Sequence, residues 1–344
     1  MKRELWIDIA KGIGIILVVI GHSSKNLSSH YIYWFHMPLF FILSGYTLKP
    51  KENMSEFFMW LRKRSYQFLI PYAAFGILIV IIVSCLDLIS GNFNLIKPVK
   101  NVAKLIFGGQ ILDGPFGVFW FITSLFLAQI LFVLLLIKVK SNIKRATILM
   151  IAYVLSHIQA LYFSDIPIPW NADVSFMVIV YLAIGYYLRP FFAKLIKLNN
   201  FIILTSLSLL FISLDSLGFI KYSLDMKYSL YNHFFLDLII PVIFSLWICM
   251  MCYSLVRFKY LNNILAKIGI ISLTIMYLHL PINAIIPNNN WIVFTFAGVV
   301  IPFLIHIILE RFKITQYLFL GQIPKFNSRI VFGKSKEIRQ RYGD

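Results

Sequence analysis

The side chains with the most chemistry to offer lie near the amino terminus, in a stretch that is otherwise apolar. It reads Glu4-Leu-Trp-Ile-Asp8-Ile-Ala-Lys11-Gly12-Ile-Gly14-Ile-Ile-Leu-Val-Val-Ile-Gly21-His22. Ionisable groups are expensive in such a stretch, and the default reading is a functional interior. Asp8 and Lys11 are three residues apart, a spacing that lets them pair on one helical face. Lys11 and His22 are eleven residues apart. That is close to three whole turns, so their side chains fall within roughly 20° of each other and about 16 Å apart along the axis. A cation at one rim and an imidazole deep on the same face suit a long donor with a phosphate-bearing head and a reactive end. Histidine fits the reactive end because its charge changes near neutral pH. A bland alternative stands beside this one: Lys11 snorkels to one interface and His22 sits at the other.

A second cluster follows in Tyr31-Ile-Tyr33-Trp34-Phe35-His36-Met37-Pro38-Leu39-Phe40-Phe41-Ile42-Leu43-Ser44-Gly45-Tyr46. Pro38 leaves backbone carbonyls in need of partners, and Ser44-Gly45 offers a small surface for close helix packing. His36 is a candidate second base or acceptor-positioning group, with an interfacial histidine as the alternative. Arg62-Lys63-Arg64 is either a phosphate contact or a solvated loop. His279 is either a further base or a helix-interior hydrogen-bonding residue. His157, His233 and His306 lack comparable context and read as structural, and His30 as a loop residue.

The elements that must hold these residues are membrane helices. Of 344 residues, 60% are hydrophobic and 13% charged, with a mean hydropathy of +0.81. A soluble domain carries about one quarter charged residues. Apolar blocks approach the ~20 residues that a bilayer core demands. The expected fold is all-α and polytopic, with about ten transmembrane helices near residues 5–24, 32–48, 67–88, 117–137, 146–163, 174–188, 201–217, 234–256, 268–285 and 291–310. With the amino terminus in the cytoplasm, 25 of the 32 Lys and Arg fall in inner loops and tail and 6 in outer loops. This asymmetry puts both termini inside. The net charge of +18 then reflects loop bias rather than nucleic-acid binding. The expected organisation is a transmembrane domain over 1–310 and a basic cytoplasmic tail over 311–344 that lies along the anionic inner leaflet. The first helix lacks a clean cleavage site and reads as retained. Cys85, Cys249 and Cys252 all fall in apolar segments and read as packing residues.

No internal repeat, Gly-rich phosphate loop, His-Glu-x-x-His helix or Gly-x-Ser-x-Gly elbow is present. No spacing argues for a metal.

Asp8-x-x-Lys11-Gly12, His22 eleven residues after Lys11, and Phe-His-Met-Pro-Leu-Phe-Phe-x-x-Ser-Gly-Tyr at 35–46 resemble the start of the membrane-bound acyltransferase-3 family. The phrase with His36 is most similar to the fucose 4-O-acetylase-like branch. Trp120-Phe121-Ile122 falls where the family has an aromatic motif. Ser272 through Tyr277-Leu278-His279 resembles its late Ser…Tyr-Leu-x-His helix, with the His two residues after the Tyr. The resemblance implies an O-acyltransferase of the bacterial inner membrane. Its donor would be acetyl-CoA and its acceptor a carbohydrate such as an O-antigen, capsule or exopolysaccharide unit. It implies Lys11 and His22 as the basic-x10-His motif. His22, His36 and His279 carry the chemistry on this reading. Lys11, Arg62, Lys63 and Arg64 hold the donor phosphates, with Asp8, Ser44, Trp120 and Tyr277 in support. Many relatives carry an extra esterase-like domain. No such domain is expected in these 344 residues, which would put the chemistry in the membrane domain. Lys11 stands where relatives often have Arg and lacks its bidentate phosphate geometry. The rival reading is a non-enzymatic transporter or flippase of a glycolipid or acyl donor.

Overall fold

A computed structural model describes residues 4–23, 27–231, 233–286 and 290–322. In chain order the helices are α1 (Leu5–Ser23), α2 (Leu27–Tyr33), α3 (His36–Thr47), α4 (Met54–Ile89), α5 (Ile96–Phe107), α6 (Trp120–Lys138), α7 (Asn142–Phe163), α8 (Val174–Leu188), α9 (Phe192–Leu195) and α10 (Leu198–Ser216). A two-residue hairpin, β1 (Leu224–Asp225) and β2 (Leu230–Tyr231), comes next. The chain then forms α11 (Leu236–Leu255), α12 (Lys259–Ile270), α13 (Ser272–Ile285), α14 (Trp291–Leu309) and α15 (Lys313–Leu320). The molecule is thus an all-α polytopic membrane protein. Among the described residues eight helices are long and apolar enough to cross a bilayer: α1, α4, α6, α7, α8, α10, α11 and α14. A ninth crossing is available from α12 and α13, which meet at a bend of 74°.

Each of the ten expected segments has a helix in it, but two are not simple spans. The segment expected at 32–48 is divided at Trp34-Phe35, and α3 has 12 residues, short of the ~20 that a span needs. Pro38 lies in the first turn of α3. It has no N–H to continue a helix through Trp34, and a first turn is where proline is tolerated. The segment expected at 268–285 breaks at Ile271, between α12 and α13. Three further helices were not expected, the three-turn α5, the four-residue α9 and the short α15. The described residues after α14 reach as far as Gln322 and pack against α4. Phe319 of α15 packs edge-on against Phe75 of α4 at 5.0 Å, and Gly321 lies against the backbone of Gln67. The remainder of the tail lies outside the described residues.

Glycines let three helices come close enough to frame the site. A Cβ on Gly269 of α12 would sit 1.8 Å from the carbonyl oxygen of Asp8, and one on Gly12 would sit 2.1 Å from that of Leu265. The α1–α12 crossing is therefore backbone on backbone. Gly45 of α3 and Gly185 of α8 make the same kind of crossing, where a Cβ on either would sit 1.9 Å from a carbonyl oxygen of the other helix. Gln129 of α6 donates to the Ser44 hydroxyl at 2.6 Å and ties a third helix to this pair. The small surface read at Ser44-Gly45 is thus a helix interface.

Candidate functional site

At the end of the bundle where α1 finishes lies a cavity of about 230 Å³. Five pieces of chain build it: Val18 and His22 of α1, Tyr33, His36 and Met37 at the α2–α3 break, Gly117 to Trp120 before α6, Leu224 to Tyr228 of the hairpin, and Met276 and Leu280 of α13. The break that shortens α3 is what turns Tyr33 and His36 into one wall. Their rings meet edge-on at 4.8 Å.

Three histidines converge here from three helices. His22 lines the cavity, and its Nδ1 lies 3.4 Å from the Tyr33 hydroxyl. His279 stands directly behind it with ring centroids 5.3 Å apart, and it is fully buried. His279 donates from Nδ1 to the Ile275 carbonyl at 2.9 Å, one turn back on its own helix. His36 donates likewise to the Ile32 carbonyl at 2.9 Å. A carbonyl can only accept, so in the neutral ring each of these bonds leaves the lone pair on Nε2. Nε2 of His279 has no partner although it is buried. A buried acceptor without a partner calls for an explanation, and a catalytic role is one of the recognised ones. Among the described residues no carboxylate forms an ion pair with any of the three. No group of three or more His, Cys, Asp or Glu among them has a metal-binding arrangement either.

The opposite end holds a separate groove of about 550 Å³. Lys49, Lys51, Lys63 and Arg64 open onto it, with Thr47, Trp60 and Gln67. Arg64 donates to Gln67 at 3.2 Å and lies over the Phe68 ring. Arg62 of the same triplet turns to another face, beside Phe58, Leu61 and Tyr66. Lys11 is half-buried and lines neither cavity. It does fall on the stripe of α1 that carries Val18 and His22. Ile15, on the same side, is fully buried, so this stripe is packed between the two ends.

The remaining sequence candidates divide in the same way. Trp120 lines the cavity. Asp8 is buried at the α1–α12 crossing. Ser44 belongs to the α3–α6 contact. Tyr277 lies in an aromatic layer beneath the cavity, stacked on Phe75 at 4.8 Å and against Phe119 at 4.7 Å.

Sequence reasoning missed the hairpin. Asp225, Lys227 and Tyr228 line the cavity from the loop between α10 and α11. Burial pushes the Asp225 carboxyl up, against the pull of the Lys227 backbone N–H that it accepts at 3.1 Å. The hairpin is held by buried polar bonds. Asn171 donates to the Lys227 carbonyl at 2.9 Å, and Ser229 donates to Asp173 at 3.0 Å. The Trp34 indole donates to the Tyr222 carbonyl at 3.0 Å. Lys227 had counted only as one of six outer basic residues; its position beside Asp225 and Tyr228 was the signal available.

The acyltransferase domain profile matches residues 4–311. Among curated proteins, nodulation protein NolL of Mesorhizobium japonicum is 30% identical over 163 residues, 44% of this chain and 39% of that protein. NolL of Sinorhizobium fredii is 39% identical over 82 residues, 20% of this chain and 22% of that protein. The matched part thus spans well under half the length of either relative. No solved structure gives a significant match. With its profile covering nearly the whole bundle and the site, the chain belongs to the acyltransferase-3 family.

Proposed function

We propose that the chain moves an acetyl group from acetyl-CoA to a hydroxyl of a surface or lipid-linked carbohydrate, in the plasma membrane of a bacterium. The observation that carries the reading is the pairing of His22 and His36 on one cavity, with His279 packed directly behind His22, and a groove lined by Lys49, Lys51, Lys63 and Arg64 at the opposite end. In this reading the groove end faces the cytoplasm, in line with its share of the basic residues. Lys63 and Arg64, with Lys49 and Lys51, hold the donor phosphates. The acceptor enters at the histidine end. His22 takes the proton of the attacking hydroxyl, or carries the acyl group between two transfers. His36 and His279 orient the reacting groups. The 28–29 Å that α1 covers over 19 residues, at ~1.5 Å per residue, matches the reach of a long thioester donor better than that of a compact one.

The test is chemical. Surface glycans from a host lacking the gene, and from the same host complemented, are compared by mass spectrometry after feeding labelled acetate. The reading predicts labelled O-acetyl esters, lost with the gene and restored by it. Identical glycans in both strains refute the carbohydrate acceptor. The identity of the sugar is left to this measurement.

A further inference from the structure

Lys227 has a setting that its place in an outer loop does not explain. Its side chain is buried, with 9% of its surface exposed. Its ammonium donates to the carbonyl of Leu112, 115 residues away in sequence, and lies over the Tyr228 ring at 4.8 Å. No carboxylate is within ion-pair distance of it among the described residues. Yet it lines the cavity of His22 and His36. Asp225 and Asp113 lie near enough for its charge to favour their ionised forms, but neither closes an ion pair with it, and a cation taken out of water without a direct ion pair is costly. The carbonyl and the ring hold it in place without neutralising it.

From this geometry we propose that Lys227 is a catalytic residue, whose ammonium stabilises the negative charge that develops on the acyl carbonyl oxygen during transfer. The inference rests on the acyltransferase reading above and adds a group to it. In the direct route the acceptor hydroxyl oxygen bonds to the thioester carbon, and its proton passes to His22. The C=O π pair moves onto the carbonyl oxygen, which faces Lys227. Collapse re-forms C=O and breaks C–S, and the leaving thiolate takes the proton from His22. An acyl-histidine route passes through the same oxyanion twice. A donor fixed before reaction, in a site closed to water, is the arrangement that stabilises such charge most. Asp225 on the same hairpin gives the wall one charge of each sign. The wall therefore suits a charge that appears during reaction better than a permanently anionic acceptor.

The experiment supplies [14C]acetyl-CoA to membrane vesicles from the gene-deleted host, complemented with wild type, K227M or K227R. Endogenous glycans are the acceptors, and rates are normalised to folded protein measured by fluorescence-detected size exclusion. Wild-type vesicles that transfer no label sink the acyltransferase reading and this proposal with it. Where wild type is active, the proposal predicts that K227M lowers the maximal rate by roughly 10²–10³-fold. The KM for acetyl-CoA stays within about twofold, and K227R recovers part of the loss. Lys227 loses the role, with the enzyme reading intact, if K227M keeps its maximal rate. It also loses the role if the defect is confined to KM, or if raising the acceptor load of the vesicles restores the rate. Should K227M fail to fold, K227A is tested with added ethylamine, and a rate that ignores the amine counts against the proposal.

Discussion

Two sets of histidines share this bundle, and their partners set them apart. His30, His157 and His306 each face a carboxylate: Asp215 at 2.9 Å, Asp237 at 3.2 Å and Glu310 at 3.3 Å. His157 also donates to the Tyr153 carbonyl at 3.0 Å, and His306 meets the Thr274 hydroxyl at 2.7 Å. His157 and His306 use both ring nitrogens within the fold, and the partly exposed His30 uses one. His22 and His36 line a cavity beside Tyr33, His279 packs behind His22, and among the described residues no ion pair joins any of the three to a carboxylate. The first set ties helices together. The second set holds nitrogen lone pairs in reserve. A histidine in an apolar segment is therefore told apart by what its second nitrogen meets, which its sequence context alone does not reveal.

The largest effects should separate the two sets cleanly. H36A and H279A are expected to lower acetyl transfer by roughly 10²-fold or more at constant folded protein, as for loss of a proton-transfer or orienting group. The labelled vesicle assay reads this. D237A should act the other way round. It leaves His157 without its partner in a buried site, where breaking a pair costs about 3–5 kcal/mol. Asp237 also accepts from the backbone N–H of His233 at 2.9 Å, so the hairpin's far attachment goes with it. Thermal unfolding in detergent should drop sharply, while turnover per folded molecule falls far less than in H279A.

A smaller effect tests the helix crossing that sets the position of α1. G269A forces a Cβ into the space of the Asp8 carbonyl, and overpacking of this kind costs about 1–3 kcal/mol. Lower stability, with the histidine site displaced relative to α13, should cut turnover moderately. A G269A protein as stable as wild type contradicts the backbone contact.

The smallest effects are electrostatic and have opposite signs. The Lys104 ammonium, 2.8 Å from Asp113, holds its carboxyl below the usual range. The stabilisation is present above the ordinary carboxylate pKa and is lost as pH falls through the lowered one. Asp113 is 70% exposed, so D113N should cost under about 1 kcal/mol at neutral pH, and nothing once the native carboxyl is protonated. Burial pushes Asp225 up, so its charged form is a cost at neutral pH that fades as pH falls through the raised value. D225N should therefore hold or raise the melting temperature near pH 7, and the difference should disappear in acid. Melting curves of both variants across pH check the two signs together.

Much of this was legible in the residues. Periodicity aligns Lys11 with His22, and hydropathy places a helix in each of the ten expected segments. The class follows because a bilayer accepts little but helices from such a composition. What escaped the sequence was where helices stop being simple spans. Pro38 was visible, but a proline in an apolar run is compatible with a kink or a new start, and only packing of His36 against Tyr33 selects the break. The bend at Ile271 carries no proline and lies two residues after the close crossing at Gly269, neither of which has a sequence signature of its own. The Lys227 side chain escaped because its partner, Leu112, is remote in the chain and offers only a backbone carbonyl, which has no residue signature. The groove likewise recruits Lys49 and Lys51, readable in sequence only as loop charges, while Arg62 turns away from its neighbours in the triplet.

The comparison between histidines is tested most directly by two single variants side by side, H22A and H157A, in vesicles given [14C]acetyl-CoA. The account predicts that H22A remains folded and transfers label at least roughly 10³-fold more slowly. H157A, in contrast, loses stability but keeps most of its turnover per folded molecule. Equal turnover of H22A and wild type, or a chemical defect confined to H157A, would contradict it.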